Sequence, residues 1–239
     1  TGGPHKECAA TVGVPSDIGN STAKAVHSSA FIPSYAGAAP SYFAKGWHPL
    51  PVFSGKGVTP PGATGYAGAL VTPADVERWS KAVGAQLCLR MVNTVGIDVD
   101  GYAEGCEWSS LLAEIGPLPQ TWVSSSRFDD GDYDGISGIR LYRLPAAYLE
   151  RQSEPVWRGV LGAHVEIVRF GHRQVNAWPT LHRRGTRYQW FNEQSGEYVD
   201  GPLPVRPDDL PELPHPWAEA MLKPQSEAKK VQQSGGKRI

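Results

Sequence analysis

Alternation of apolar and polar positions predicts three β-strands in the middle of the chain. Residues 95–100 read Val-Gly-Ile-Asp-Val-Asp, so apolar residues alternate with small or acidic ones. Because residues two apart on a strand share a face, the apolar side chains should face the core, with Asp98 and Asp100 on the opposite face. Segments 139–143 and 165–170 alternate in the same way. The pattern predicts a sheet with an apolar and a charged face.

Two helices accompany these strands. Thr72 is predicted to cap a helix with Pro73 at its first position, running through Trp79 toward Val83. A second helix over 107–115 ends at a Gly-Pro pair, which stops helices. The elements together predict a mixed α/β sheet with helices on one face and charged residues on the other.

The two ends of the chain lack such periodicity. Residues 1–40 are rich in Gly, Ser, Ala and Pro and are predicted to form an arm or linker with little regular structure. Residues 223–239 are polar and lysine-rich and are predicted to be a disordered tail or a linker to a further module. We expect one folded domain over 41–222. Because the chain begins with Thr1, we treat it as a processed form or a piece of a longer protein.

Charge and cysteine content narrow the function classes. The formal net charge of -1 excludes a uniformly basic surface, so any nucleic-acid binding needs a local patch. Three isolated cysteines suggest neither a disulfide framework nor a zinc site, so no zinc is expected. No stretch approaches the roughly 18 consecutive apolar residues of a membrane span, and no signal peptide is visible. We therefore expect a cytoplasmic protein without membrane contact.

Acidic residues on the predicted strands are the sharpest chemical feature. Asp98 and Asp100 lie two apart on a strand, about 6.5 Å between Cα atoms, so their carboxylates can converge on divalent ions. Glu166, flanked by Val165 and Ile167, offers a third carboxylate for a two-metal site. The alternatives are a chance Asp-x-Asp in a solvated turn, and a Glu166 that is exposed and paired with an arginine.

Small hydroxyl residues and arginines lie between these acids. Ser126 and Arg127 close a serine run, and Ser137 begins a strand that carries Arg140 and Tyr142. Hydroxyls donate single hydrogen bonds and guanidinium donates two in a fixed fork, so the set suits a triphosphate. The alternative is a serine-rich loop and a strand arginine that pairs with the acidic cluster at 129–134.

Segment 169–187 is the credible nucleic-acid patch. It contains no acid, includes Trp178 and is followed by Tyr188 and Trp190, aromatic residues that can stack on bases. Its candidate binding residues are Arg169, Arg173, His182, Arg183, Arg184 and Arg187. A solvated charged hairpin is the alternative. The chain has no phosphate loop of the GxxxxGK[ST] type, no dinucleotide fingerprint, no GxSxG elbow and no HExxH zinc motif.

The order of these features resembles the bifunctional primase-polymerase family of the archaeo-eukaryotic primase superfamily, found in phage, plasmid and mobile-element replication proteins. The resemblance covers roughly residues 40–191. It is carried, in chain order, by 42–51, the Gly55-Lys56 loop, 72–79, 96–100, 118–121, 137–142, 165–167, 177–182 and 185–190.

The resemblance implies an α/β (α+β) fold, a mixed β-sheet catalytic core of the archaeo-eukaryotic primase type (RRM-like), with flanking helices and an N-terminal wrapping subdomain. It also implies that Asp98, Asp100 and Glu166 bind two divalent ions, Mg²⁺ or Mn²⁺. Lys56 would join the triphosphate-binding residues. The chain departs from the family pattern twice. Arg140 stands where the family has a histidine, and segment 178–182 matches a stretch that in the family more often reads Pro-Pro-Ser.

The implied activity is metal-dependent, template-directed nucleotidyl transfer, that is, DNA primase and DNA polymerase activity. The implied partners are a single-stranded DNA template with a primer, dNTP or NTP, and a fused or partner helicase, in the cytoplasm of a bacterial host. Two alternatives stay open. One is a nucleic-acid-binding or replication-initiation module of the same fold that has lost catalysis, and the other is a glycosyltransferase that uses Asp-x-Asp.

Overall fold

Two β-sheets and five short α-helices form the described part of the chain, residues 34–53, 59–128 and 133–223 of a computed structural model. The helices are α1 (Tyr35–Ala44), α2 (Pro73–Ser80), α3 (Trp108–Ile115), α4 (Ala146–Leu149) and α5 (His215–Ala220), and a 3₁₀ turn lies at Pro207–Asp209. The strands are β1 (His48–Val52), β2 (Gln86–Arg90), β3 (Thr94–Val99), β4 (Trp122–Ser125), β5 (Gly138–Arg143), β6 (Val160–Gly162), β7 (Val165–Val168), β8 (Val175–Asn176), β9 (Gln189–Asn192) and β10 (Glu197–Val199).

The larger sheet has seven strands in the order β10-β9-β4-β5-β3-β7-β6, and the smaller has three in the order β1-β2-β8. The α+β class with flanking helices is confirmed. The pairings refine the expected mixed sheet, because every pairing between the strands named above is antiparallel. β3 lies between β5 and β7, so the strand carrying the acidic pair is central.

The two faces of β3 differ as its alternation predicts. Val95, Ile97 and Val99 are at most 1% exposed and lie in a core with residues of α3 and α5. The opposite face carries Gly96 and Asp98. A Cβ at Gly96 would lie 2.7 Å from the Ile139 side chain, too close for van der Waals contact, so the small residue lets neighbouring strands pack here. The predicted direction of the acidic face is confirmed.

A second core covers part of this opposite face and contains α1. Tyr35, Ala38, Ala39 and Tyr42 of α1 are fully buried, and the Tyr42 hydroxyl donates to the Trp178 carbonyl oxygen at 3.1 Å. The prediction that residues 34–40 form a linker or arm is therefore wrong. The Ala and Gly residues of α1 give no amphipathic pattern in the sequence, so they resemble a linker. Their small side chains nevertheless allow the helix to pack closely in the core. The rest of the predicted arm and nearly all of the predicted tail lie outside the described residues.

The helix ends follow the capping rules. Thr72 and Asp75 form the reciprocal capping box of α2, with Asp75 N–H donating to Thr72 Oγ1 at 3.2 Å and Thr72 N–H donating to Asp75 Oδ2 at 3.0 Å. α3 ends at Gly116, whose φ of 114° suits glycine. Both predicted helices are confirmed, each within a few residues. None of the helices in the described ranges is long and apolar enough to span a membrane.

Candidate active site

A cavity of about 500 Å³ opens on the acidic face of the larger sheet. It gathers residues from separate segments, namely the ends of β3 and β4, the start of β5, the turn after β7, β8, and the loop before β9. The lining includes Asp98, Asp100, Tyr102, Ser124, Ser125, Ser126, Arg127, Ser137, Gly138, Ile139, Arg173, Gln174, Asn176, Thr180, His182, Arg183 and Tyr188. Asp98 and Asp100 therefore meet the predicted serine and arginine residues at one site, whereas Glu166 is not among the lining residues.

The acids meet because of strand register. Asp98 of β3 is the direct partner of Glu166 on β7, and Asp100 follows the end of β3, where its N–H donates to the His164 carbonyl oxygen at 3.0 Å. Burial, with added repulsion from Asp100 and Glu166, raises the pKa of Asp98 to about 7, although Arg173 acts in the opposite direction. The Asp98 side chain is 25% exposed, so it reaches the cavity from a largely buried position.

Arg173 lies between the two paired carboxylates. Its Nη1 is 3.6 Å from Asp98 Oδ2 and is also in direct contact with Glu166 Oε2. Arg173 was predicted to bind nucleic acid, but in the structure it forms an internal ion pair with Asp98 and Glu166. The arginine pairing of the alternative hypothesis for Glu166 is seen, although its side chain is partly buried, at 31% exposed.

The acids fit a hard divalent cation in their chemistry. Asp98, Asp100 and Glu166 supply carboxylate oxygens, which Mg²⁺ and Mn²⁺ prefer, while zinc favours nitrogen and sulfur. Burial is the main cause of the raised pKa of Asp98, and repulsion from Asp100 and Glu166 adds to it. Within the described ranges, no group of three or more acidic, histidine or cysteine side chains is arranged to hold a metal ion. The Arg173 guanidinium fills the space between two of the acids.

The predicted hydroxyl and arginine residues at the ends of β4 and β5 reach the cavity. Ser126 and Arg127 line it, and the Arg127 guanidinium lies 3.8 Å from the centre of the Tyr102 ring, which holds it in place. Ser137 also lines it, but its hydroxyl donates to Asp134 Oδ2 at 2.6 Å. The Ser126 side chain is likewise engaged, in a hydrogen bond with Tyr188.

Arg140 and Tyr142 lie on the opposite face of β5, so their predicted roles in nucleotide binding are wrong. Arg140 is 4% exposed, and its Nε donates to Glu193 Oε1 at 2.8 Å. The Tyr142 hydroxyl donates to the Pro119 carbonyl oxygen at 3.1 Å. The reason is register: Ile139 is the partner of Asp98, so residues 138, 140 and 142 alternate away from it.

The arginine-rich segment divides in two. His182 and Arg183 line the cavity, and Arg184 and Arg187 lie outside its lining. Arg169 is 8% exposed, and its guanidinium donates to the carbonyl oxygens of Trp157 and Arg158 and to the Tyr66 hydroxyl. The prediction of Arg169 as a nucleic-acid ligand is therefore wrong, because its donors are used inside the fold. Lys56 lies outside the described residues.

Asn176 and Tyr188 are among the lining residues that were not predicted for the nucleotide site. Asn176 Nδ2 donates to the Tyr188 hydroxyl at 3.2 Å, and burial raises the pKa of Tyr188, with Asp98 and Asp100 adding to the effect. The sequence singled out Tyr188 as a base-stacking aromatic residue and passed over Asn176. No spacing or motif marks Asn176, since its position depends on β8 pairing with β2.

Comparison with known proteins identifies the family. The family model Prim-Pol, described as bifunctional DNA primase/polymerase, N-terminal, matches residues 39–215, well over half of the chain. The chain belongs to this family. The Prim-Pol match spans α1 except its first residues, both sheets, and the three acids Asp98, Asp100 and Glu166. Membership implies a nucleotidyltransferase function of the DNA primase/polymerase type. No curated protein and no solved structure matches the chain significantly.

Proposed function

We propose that the chain is a metal-dependent, template-directed nucleotidyltransferase with DNA primase and DNA polymerase activity, centred on Asp98, Asp100 and Glu166. The observation that carries this proposal is the convergence of the three acids beside a cavity that also holds Ser126 and Arg127, within the Prim-Pol match. At about 500 Å³, the cavity is in the range of small-ligand sites and is large enough for a nucleotide.

Asp98, Asp100 and Glu166 would hold two Mg²⁺ or Mn²⁺ ions. When bound, these ions would lower the pKa of the attacking hydroxyl and offset the charge that builds on the α-phosphate and the departing pyrophosphate. The chain's own contribution is to supply carboxylates on rigid strands. β3 is paired on both sides, by β5 and β7, so Asp98 is held from two directions.

Ser126, Arg127 and Arg183 would bind the triphosphate. The serine supplies a hydroxyl donor from a rigid strand end, and each guanidinium supplies paired donors that match phosphate oxygens. Stacking on Tyr102 fixes the plane of the Arg127 guanidinium before a ligand arrives.

His182, Arg184 and Arg187 would contact the single-stranded template and primer next to the cavity. All three lie in the loop between β8 and β9. His182 lines the cavity, and Arg184 and Arg187 are close to it in sequence. We further propose that dNTP or NTP is the substrate, that a fused or partner helicase opens the duplex, and that the protein acts in phage, plasmid or mobile-element replication in a bacterial host.

Primer extension on a single-stranded template tests the function. The reaction would be run with dNTP or NTP, with Mg²⁺, Mn²⁺ or chelator, using the unmodified chain, Asp98→Ala and the control Glu77→Gln. Glu77 has a side chain 78% exposed on α2, outside the cavity lining. We expect metal-dependent extension that falls by at least about 1,000-fold in Asp98→Ala and is unchanged in Glu77→Gln. Extension retained by Asp98→Ala would remove the acid from the centre.

A second candidate is a non-catalytic nucleic-acid-binding module of the same fold. It is favoured by Arg140, which stands at the family's histidine position yet faces the core and is paired with Glu193. This module would bind single-stranded DNA equally well with and without chelator and would extend no primer under any of the conditions above.

A further inference from the structure

The positively charged side chain of Arg173 lies against Asp98 and Glu166. Arg173 contacts Glu166 and lies 3.6 Å from Asp98, and these two acids are direct partners across β3 and β7. It sits after a tight turn in which Arg169 and His172 exchange backbone hydrogen bonds, and its φ of 62° is unusual for a residue other than glycine. The turn places Arg173 beside the two strands, and its guanidinium contacts an acid of β7 and lies near an acid of β3.

We propose that Arg173 is a positioning residue that exchanges ligands during the reaction. Without metal it holds Asp98 and Glu166 together as their counter-cation. When divalent ions bind the acids, the guanidinium leaves them and binds the polyphosphate of the incoming nucleotide. This inference rests on the proposed function and adds a residue and an order of events to it.

Electrostatic repulsion opposes the presence of a guanidinium and divalent ions at the same carboxylates. Asp98, Asp100 and Glu166 carry up to three negative charges, and the Arg173 guanidinium lies against two of the carboxylates that would hold divalent ions. A guanidinium and a divalent cation a few ångströms apart repel each other strongly in a protein site, where the effective dielectric constant is well below that of water. Both cannot occupy the space between the same two carboxylates.

Exposure and surroundings allow the exchange. The Arg173 side chain is 42% exposed, so it can rotate without opening a core. It lines the same cavity as Arg127 and Arg183, the arginines proposed for the triphosphate. A guanidinium displaced from carboxylates finds in phosphate oxygens the same paired acceptor geometry. The triphosphate thus gains a third arginine when metal is bound.

Two binding measurements test the proposal without relying on catalysis. Mn²⁺ affinity is measured by titration with electron paramagnetic resonance detection, and affinity for inorganic tripolyphosphate is measured in saturating Mn²⁺. The variants are Arg173→Gln and Arg173→Lys. The matched control is Arg183→Gln, which removes one positive charge from the same cavity; in the described ranges no ion pair links Arg183 to an acid.

We expect Arg173→Gln to bind Mn²⁺ about 5- to 20-fold more tightly, because the variant removes a positive charge that repels the ion. We expect it to bind tripolyphosphate about 10-fold more weakly, because the same charge attracts phosphate. Arg173→Lys should stay near the unmodified chain in Mn²⁺ affinity. Arg183→Gln should weaken tripolyphosphate binding and change Mn²⁺ affinity less than twofold.

Two outcomes overturn the exchange alone: equal Mn²⁺ affinity in Arg173→Gln and the unmodified chain, or an equal gain in Arg183→Gln, which would show a general field effect. Tighter Mn²⁺ with unchanged tripolyphosphate binding would overturn the second half of the exchange. Absence of Mn²⁺ binding in every protein, including the unmodified chain, would overturn the metal site of the proposed function itself.

Discussion

The two faces of the larger sheet each carry an arginine paired with a glutamate, and the two pairs differ in exposure. Arg140 and Glu193 on the core face have side chains 5% and 19% exposed, whereas Arg173 and Glu166 at the cavity are 42% and 31% exposed. Arg140 also contacts the Trp108 ring and donates to the Ile136 carbonyl oxygen. The comparison teaches that the buried pair is part of the fold, while the exposed pair can be exchanged for a ligand.

Breaking the buried pair should have the largest effect on stability. Arg140→Ala leaves Glu193 without its guanidinium partner in a largely buried position, and we expect the free energy of unfolding to fall by about 3 to 5 kcal/mol. Urea denaturation followed by circular dichroism measures the change. The double variant Arg140→Met with Glu193→Leu should recover part of the loss. A loss below 1 kcal/mol for Arg140→Ala would mean that the pair has no structural role.

Adding a methyl group beneath the acidic face should have the next largest effect. Gly96→Ala puts a Cβ 2.7 Å from Ile139 Cγ2 and 3.2 Å from Val168 Cβ, so we expect a loss of about 1 to 3 kcal/mol. Gly201→Ala is the matched control, because its Cβ would lie 3.6 Å from its nearest neighbour, Val199. Thermal unfolding compares the two. Equal melting temperatures would show that β3 and its neighbours move apart without penalty.

Removing a charge from the cavity face should stabilise the metal-free protein. The raised pKa of Asp98 means that between about pH 4 and pH 7 the folded chain holds a proton that the unfolded chain releases. Stability in chelator should therefore fall as pH rises through this window. Asp98→Asn should gain about 1 to 2 kcal/mol at pH 8, a few degrees in Tm, and little at pH 4. The same gain at both pH values would contradict the ionisation argument.

Breaking the exposed pair should have the smallest effect on stability. Arg173→Gln should change the free energy of unfolding by less than about 1 kcal/mol, because solvent screens an ion pair of this exposure. Urea denaturation of Arg173→Gln beside Arg140→Ala measures the contrast directly. If the two variants lost equal stability, the exposed pair would be structural and the distinction between the faces would not hold.

Local pattern was sufficient where neighbouring residues decide the outcome. The capping box at Thr72 is made by residues three apart, and the alternation of β3 separates apolar residues from Asp98 in any sheet that buries one face. Local pattern did not predict the helix α1, because its residues carry no signal that neighbouring positions can reveal. Its buried side includes Ala38 and Ala39, which carry no strong amphipathic pattern, so burial became visible only when β1 and β2 packed against them.

The sequence by itself determined the family, the acidic and core faces of β3, and the candidate carboxylates, since these depend on the order of motifs along the chain and on alternation within single strands. Tertiary structure alone decided that Asp98 is the partner of Glu166, that Arg140 faces the core, and that Arg173 joins the acids. The physical reason is strand register. A shift of one residue between β3 and β5 would move Arg140 to the cavity, and the register depends on packing among segments far apart in the chain.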